Sequence, residues 1–141
     1  MGQVFPGLTG CPGKPVTELN IKQTTYGKGR TAEDIAYKYL ARQGLKLLAR
    51  NYRSRRGEID LIMSDKDIIV FIEVRSRKDS RTMNVIESID SKKRARIIQT
   101  SQKYLQNDKD SRDNICRFDI VLVKGQLEAA EIEWIKNAFE A

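Results

Sequence analysis

Histidine is absent from this 141-residue chain, which removes the commonest general base and the usual zinc ligand. Cysteine is nearly absent too. Cys11 and Cys116 are too few and too far apart for a disulfide framework or a zinc site. No apolar run approaches the roughly 20 residues of a membrane span, so a membrane partner is not expected. Leu8-Thr9-Gly10-Cys11 has the look of a bacterial lipoprotein cleavage site. The residues before it lack a basic start and are too few for a signal-peptide apolar region, and the expected location is the cytoplasm. Proline and glycine are scarce and unevenly placed. All three prolines and five of the nine glycines fall in residues 1–28, which have little periodicity. That segment reads as an N-terminal extension, partly mobile and outside the core, leaving 29–141 as the folded domain.

Acid is the scarcer charge: 19 Asp and Glu stand against 26 Lys and Arg, a formal net charge of +7. An excess of that sign favours a polyanionic partner, nucleic acid before others. The 40% hydrophobic and 32% charged content is otherwise ordinary for a soluble globular chain, long enough for one domain with its own core.

Past residue 28 the patterns become regular. Thr31 reads as an N-cap, with Asp34 three residues on as the acidic half of a capping box. Ala32, Ile35, Ala36, Tyr39 and Leu40 follow at helical spacing, and Gly44 fits a C-terminal stop. Leu45 to Tyr52 reads as a short strand, and Ser76 to Asp90 as a long polar loop. Ser91 is the expected cap of a second helix reaching about Gln106, with Ala95, Ile98 and Leu105 inward. Asn107 to Asn114 reads as a loop and Cys116 to Val123 as a strand. Glu131 to Phe139 fits either a strand around Ile132–Ile135 or an amphipathic helix. This order predicts an α/β domain with a mixed central sheet flanked by helices.

The most informative segment is a pair of alternating, β-branched runs, Glu58 to Met63 and Ile68 to Val74, on either side of Ser64-Asp65-Lys66-Asp67. They predict a hairpin. With a loop of two or four residues there, paired positions sum to 131, so that Asp60 lies opposite Phe71 and Glu58 opposite Glu73. Ile59, Leu61, Met63, Ile68, Val70, Ile72 and Val74 then share one apolar face. The other face begins with Ile62, Ile69 and Phe71 and ends in Asp60, Glu58, Glu73 and Arg75. Facing like charges destabilise a sheet, so three acids at one end need a compensating cation.

In this register Asp60 and Glu73 are diagonal neighbours with Cα atoms ~7–8 Å apart, close enough to converge on one divalent ion. Magnesium, or manganese in its place, takes hard oxygen ligands and often keeps several waters beside one or two carboxylates. Such an ion polarises a phosphodiester and lowers the pKa of a bound water, giving a nucleophile without histidine. Arg75 can offset charge that develops in the transition state. A plainer reading stands beside this one: Glu58, Asp60 and Glu73 pair with Arg55, Arg56 and Arg75 on a solvated sheet end.

Basic residues cluster twice. Arg42, Lys46, Arg50, Arg53, Arg55 and Arg56 fall in a stretch without acid, and Lys92, Lys93, Arg94 and Arg96 crowd the start of the second helix. Cations are unfavourable at a helix N-terminus unless an anion sits nearby, and helix starts are natural phosphate sites. A solvated basic face is the alternative. Tyr52 can stack on a base or belong to the core. Glu33 suits a first helical turn on dipole grounds alone. Arg117 and Asp119 are a candidate internal pair on the third strand.

Taken together, these residues resemble the YraN-like family of bacterial predicted endonucleases, similar in pattern to archaeal Holliday-junction resolvases and the restriction-endonuclease fold. The resemblance spans residues 27–139. It rests on Gly29, Ala32, Glu33 and Ala36; Asn51-Tyr52-Arg53; Gly57-Glu58-Ile59-Asp60-Leu61-Ile62; Phe71-Ile72-Glu73-Val74; Arg77; Lys92; Arg117-Phe118-Asp119; and Trp134 to Phe139. It implies a helix, a three-stranded meander, a second helix and a further strand, around a divalent-metal phosphodiesterase centre. Asp60 and Glu73 match the metal-binding acids, Glu33 matches an acid approaching from the first helix, and Glu58 belongs to the pattern. A two-fold homodimer is also implied. The chain departs from the pattern at Arg75, where the family usually has lysine. Arginine stays protonated and cannot accept a proton.

Three functional classes follow. The first is a magnesium-dependent endonuclease acting on DNA, structured or branched DNA included, with Glu33, Glu58, Asp60, Glu73 and Arg75 at its centre. Arg53, Arg55, Arg56, Arg77, Lys92, Lys93 and Arg96 would grip the backbone. The second is a nuclease-fold module that binds DNA or RNA without turnover. The third, a basic accessory protein of a ribonucleoprotein, leaves the acidic sheet end unexplained.

Overall fold

The computed structural model describes residues 31–77, 89–108 and 114–141. The expected extension over 1–28 lies outside the described residues, as does most of the loop expected after Ser76. Helix α1 (Ala32–Arg42) starts where the Thr31 hydroxyl accepts the Asp34 N–H at 3.1 Å. It ends at Gly44, whose φ of +100° is costly for any residue with a Cβ. Strands β1 (Lys46–Arg53), β2 (Glu58–Asp65) and β3 (Ile68–Arg77) form an antiparallel meander. Helix α2 (Ser91–Asn107) lies on the crossover to β4 (Cys116–Lys124), which runs parallel to β3. A short 3-10 turn (Leu127–Ala129) leads to β5 (Glu131–Phe139), antiparallel to β4. The result is one five-stranded mixed sheet, ordered as in the chain, and it matches the expected α/β class. Glu131–Phe139 is a strand, which resolves the ambiguity there.

The two helices cover two apolar faces of the sheet. Ala36, Leu40 and Leu45 pack with Leu61, Met63, Val70, Ile72, Val121 and Val123. Ile97 of α2 packs with Ile59, Ile62, Ile69, Phe71, Phe118 and Phe139. Ile59 therefore keeps company with Ile62 and not with Leu61, against expectation. Strict alternation is broken between Ile59 and Leu61, that is, at Asp60. Tyr52 belongs to the α2 side, edge-on to Tyr104 with ring centroids 5.3 Å apart, so it packs in the core region.

Four other expectations need correction. The hairpin pairs Asp65 with Ile68, leaving Lys66-Asp67 as a two-residue loop with Lys66 at φ 59°. Phe71 consequently faces Ile62, not Asp60. The slip is two residues, one full strand period, so it transfers no side chain to the other face. The cap of α2 is Asp90, whose Oδ1 accepts the Lys93 N–H at 2.8 Å, and not Ser91. The buried residues of α2 are Ile97, Thr100 and Ser101, whereas Ala95 is exposed. Both hydroxyls turn back onto helix carbonyls, Thr100 on Arg96 at 2.7 Å and Ser101 on Ile98 at 2.6 Å. With their hydrogen bonds satisfied locally, they can be buried without the usual penalty. Finally, Ser76 and Arg77 continue β3 beside β4 instead of opening a loop.

Arg117 and Asp119 are an internal pair. Arg117 Nε lies 3.0 and 3.1 Å from the two Asp119 carboxylate oxygens, and its Nη2 reaches Asp65 at 3.2 Å. Fully buried Asp119 also accepts from Trp134 Nε1 at 2.8 Å and from the Asn137 N–H at 2.9 Å. One carboxylate thus ties β4 to β5, with every hydrogen bond at charge-assisted strength.

Candidate metal and nucleic-acid site

Register builds the site. β1 and β2 pair through Arg50↔Leu61 and Tyr52↔Ile59, which leaves Asn51 level with Asp60. One step past the last β2–β3 pair, Leu61↔Ile72, Asp60 is level with Glu73. Asn51, Asp60 and Glu73 therefore form a row across three strands. The ladder opens here, and Asp60 Oδ2 accepts the Val74 N–H at 2.8 Å. A side-chain carboxylate takes the place of a neighbouring strand's carbonyl.

Asp60 and Glu73 are hydrogen-bonded to each other. The Glu73 side chain is only 7% exposed and has cations on its open side, Lys93 Nζ at 3.4 Å and Arg75 Nη1 at 3.7 Å. Burial, then the charge of Asp60, pushes the Glu73 carboxyl up to about 7, against the pull of Lys93. Burial also raises Asp60, while the Val74 N–H and the Glu73 hydrogen bond favour its ionised form. Two carboxylates in contact, Glu73 buried and Asp60 partly so, resist ionising together.

The α1 residue Glu33 lies near the row. Its Oε1 is 3.9 Å from Arg50 Nη2, and it is hydrogen-bonded to the Asn51 side chain. Burial and then the charge of Asp60 raise its pKa; Arg50 and Asn51 oppose this. Glu58 stands at the rim, half-exposed, 3.4 Å from the exposed Arg53. Of the predicted catalytic residues, Asp60, Glu73 and Arg75 meet directly. Glu33 is coupled to Asp60 through its field, and Glu58 is peripheral.

Among the described residues no group of three or more His, Cys, Asp or Glu is arranged to hold a metal ion. The possible ligand set is the Asp60–Glu73 pair. Two hard carboxylates with water completing the shell suit magnesium or manganese. A close pair of carboxylates, one of them buried with its pKa raised, has the chemistry of a site a divalent cation can occupy.

The two basic clusters of the sequence converge. The Ser54–Gly57 turn closes with Ser54 N–H on Gly57 O at 2.9 Å and docks on α2 through Ser54 Oγ and Thr100 Oγ1, 3.2 Å apart. Gly57 permits the approach: a Cβ there would sit 3.2 Å from Arg96 Cβ. Exposed Arg53, Arg55 and Arg56 thereby join exposed Lys92 and Arg96. Beside them Arg75, Asp90, Lys92, Lys93 and Arg96 line an open groove of about 290 Å³ adjoining Glu73. Arg77 is half-buried farther along β3, beside Lys124, and does not line that groove.

Arg50 leaves the basic surface altogether. Its side chain is 1% exposed and donates from Nη2 to Asp34 Oδ1 at 2.9 Å. Asp34, expected as a capping-box acid, has its carboxylate on Arg50 instead. Sequence reasoning missed this pair and missed Asn51 as a site residue. The only hint was an asparagine in mid-strand, a residue type that tolerates positive φ.

Residues 32–123 match the model of the uncharacterised protein family UPF0102. A Pseudomonas aeruginosa UPF0102 protein is 43% identical over 126 residues, covering 87% of this chain and all of that relative. A Nitrosococcus oceani UPF0102 protein is 46% identical over 112 residues, 79% of this chain and 90% of the relative. Among solved structures, a Pyrococcus furiosus SfsA in complex with Ca2+ aligns over 77% of this chain and 62% of its own, at 13% identity and a TM-score of 0.33. Likeness at that level carries no argument about function.

Proposed function

The chain belongs to the uncharacterised protein family UPF0102, and we propose that it is a magnesium- or manganese-dependent endonuclease acting on phosphodiester bonds of DNA, structured or branched DNA included. One observation carries the reading: a carboxylate pair in contact, buried Glu73 and half-buried Asp60, adjoins a groove lined by Arg75, Lys92, Lys93 and Arg96. A sheet end needing only charge balance gains nothing by sinking two acids together beside a cationic groove.

Asp60 and Glu73 would hold the ion, which when bound supplies Lewis-acid polarisation of the phosphate and activation of water. To hold the ion Glu73 would have to be ionised, any proton on it passing to solvent. Arg75 and Lys93, already within 3.7 and 3.4 Å of Glu73, turn their donors to the phosphate oxygens and offset developing negative charge. Arg53, Arg55, Arg56, Lys92 and Arg96 bind flanking phosphates. Such contacts fix position without reading sequence, so preference is for DNA shape, and a two-fold dimer would suit paired cuts.

The test is cleavage of duplex, single-stranded, flap and four-way-junction DNA with magnesium or manganese, with Asp60→Asn as control. Metal-dependent product from the wild type alone supports the proposal. Equal product from both proteins, or none from either, removes it. A second reading, a DNA- or RNA-binding module without turnover, is favoured by Lys93 and Arg75 already balancing Glu73. It predicts retained binding with no product on any substrate.

A further inference from the structure

In a regular strand, neighbouring side chains point to opposite faces. Arg50 and Asn51 are neighbours on β1, yet both address the same α1 residue, Glu33. The cause is local: Asn51 has φ 50°, in the left-handed region that non-glycine residues seldom adopt. Asparagine tolerates that conformation better than most residues but still at a cost. The departure stands level with Asp60, where β2 also breaks its alternation. Two adjacent strands therefore abandon regular geometry at the same level of the sheet, beside the carboxylate pair.

Arg50 is equally unusual. Its guanidinium is buried, with Asp34 on Nη2, and its Nε and Nη1 find no hydrogen-bond partner among the described residues. Taking a guanidinium out of water costs several kcal/mol unless it is well compensated. Asp34 holds the group in place, and Glu33 is the next acid within 4 Å. Asp60 and Glu58 are near enough for their charges to act against that of Glu33.

We propose that the Asn51 bulge is a positioning device: it swings the Asn51 amide to the side of Arg50, and the two clamp Glu33 beside Asp60 as the third acid of the centre. Asn51 and Arg50 are positioning residues that act through Glu33. The clamp stands apart from the nuclease reading; its consequence for turnover rests on that reading.

Asn51→Gly separates the roles of backbone and side chain, because glycine adopts positive φ freely and removes only the amide. Asn51→Asp keeps the size and places an acid against Glu33. The first readout needs no activity: the pH titration of the Glu33 carboxyl, followed by carbon-detected NMR. In Asn51→Gly, Glu33 should titrate higher than in the wild type, and in Asn51→Asp higher again, with melting temperatures close to the wild type for Asn51→Gly. The second is kinetic, where loss of positioning should lower kcat by roughly 10- to 100-fold with KM little changed. An unchanged Glu33 titration in both variants overturns the clamp. A shifted titration with unchanged kcat overturns its role in turnover. If the wild type itself cleaves nothing, the nuclease reading fails, and the titration alone decides the clamp.

Discussion

Asp60 accepts the backbone N–H of Val74 at 2.8 Å, one residue beyond the point where the β2–β3 ladder ends. The acid proposed to hold the metal is thus also a structural acceptor. Asparagine keeps an acceptor oxygen for Val74 while losing the charge. Asp60→Asn should fold with near-wild-type stability and lose divalent-ion binding by calorimetry. Asp60→Ala should in addition be destabilised by about 1–3 kcal/mol, the cost of an unsatisfied backbone group.

Glu73 makes the metal-free protein pH-sensitive. Its folded-state pKa is raised from 4.5 to about 7 by burial and by Asp60. Between those values the folded state binds more protons than the unfolded state, so stability falls as pH rises. The contribution is fully present below 4.5 and lost through about 7. Urea unfolding without metal should show the wild type losing stability from pH 5 to pH 8 relative to Glu73→Gln. Divalent-ion affinity should run the other way and rise with pH, since binding displaces the proton.

Asp34 and Arg50 form a buried pair 2.9 Å apart, each side chain 1% exposed. Asp34→Ala strands a guanidinium and should cost about 3–5 kcal/mol, whereas the double variant Asp34→Leu with Arg50→Met should cost much less. Chemical denaturation of the two single variants and the double gives the coupling directly.

Gly57 lets the arginine-bearing turn lie on α2. Gly57→Ala places a Cβ 3.2 Å from Arg96 Cβ and 3.4 Å from Thr100 Oγ1, so turn and helix must separate. The expected cost is about 1 kcal/mol, the low end for overpacking. Binding to a DNA duplex should weaken although no charge has changed. Arg55→Gln should instead leave stability alone and lower the salt slope of binding by about one.

Much of this was readable along the chain. The Thr31 cap, the Gly44 stop, the strands and the grouping of Glu58, Asp60, Glu73 and Arg75 at one hairpin end are set by local chemistry. Capping, backbone preference and two-residue alternation act between residues close in sequence. Most of the apolar faces of the hairpin were legible for the same reason, and they survived a two-residue slip in register because the slip equals the strand period.

Other features depended on segments far apart in sequence. Whether Asp60 faces Phe71 or stands level with Glu73 turns on which residues close the hairpin. Arg50, one cation in a basic run, became a buried partner of Asp34 because α1 packs over β1. Thr100 and Ser101 are buried because their hydroxyls turn back on the helix carbonyls. Arg53, Arg55 and Arg56 joined Lys92 and Arg96 because a glycine lets a turn press on a helix some 40 residues away. Composition and periodicity constrain each segment by its own neighbours. Burial, partner and electrostatic environment are properties of the space between segments, and these exist only once the sheet and helices have closed on one another.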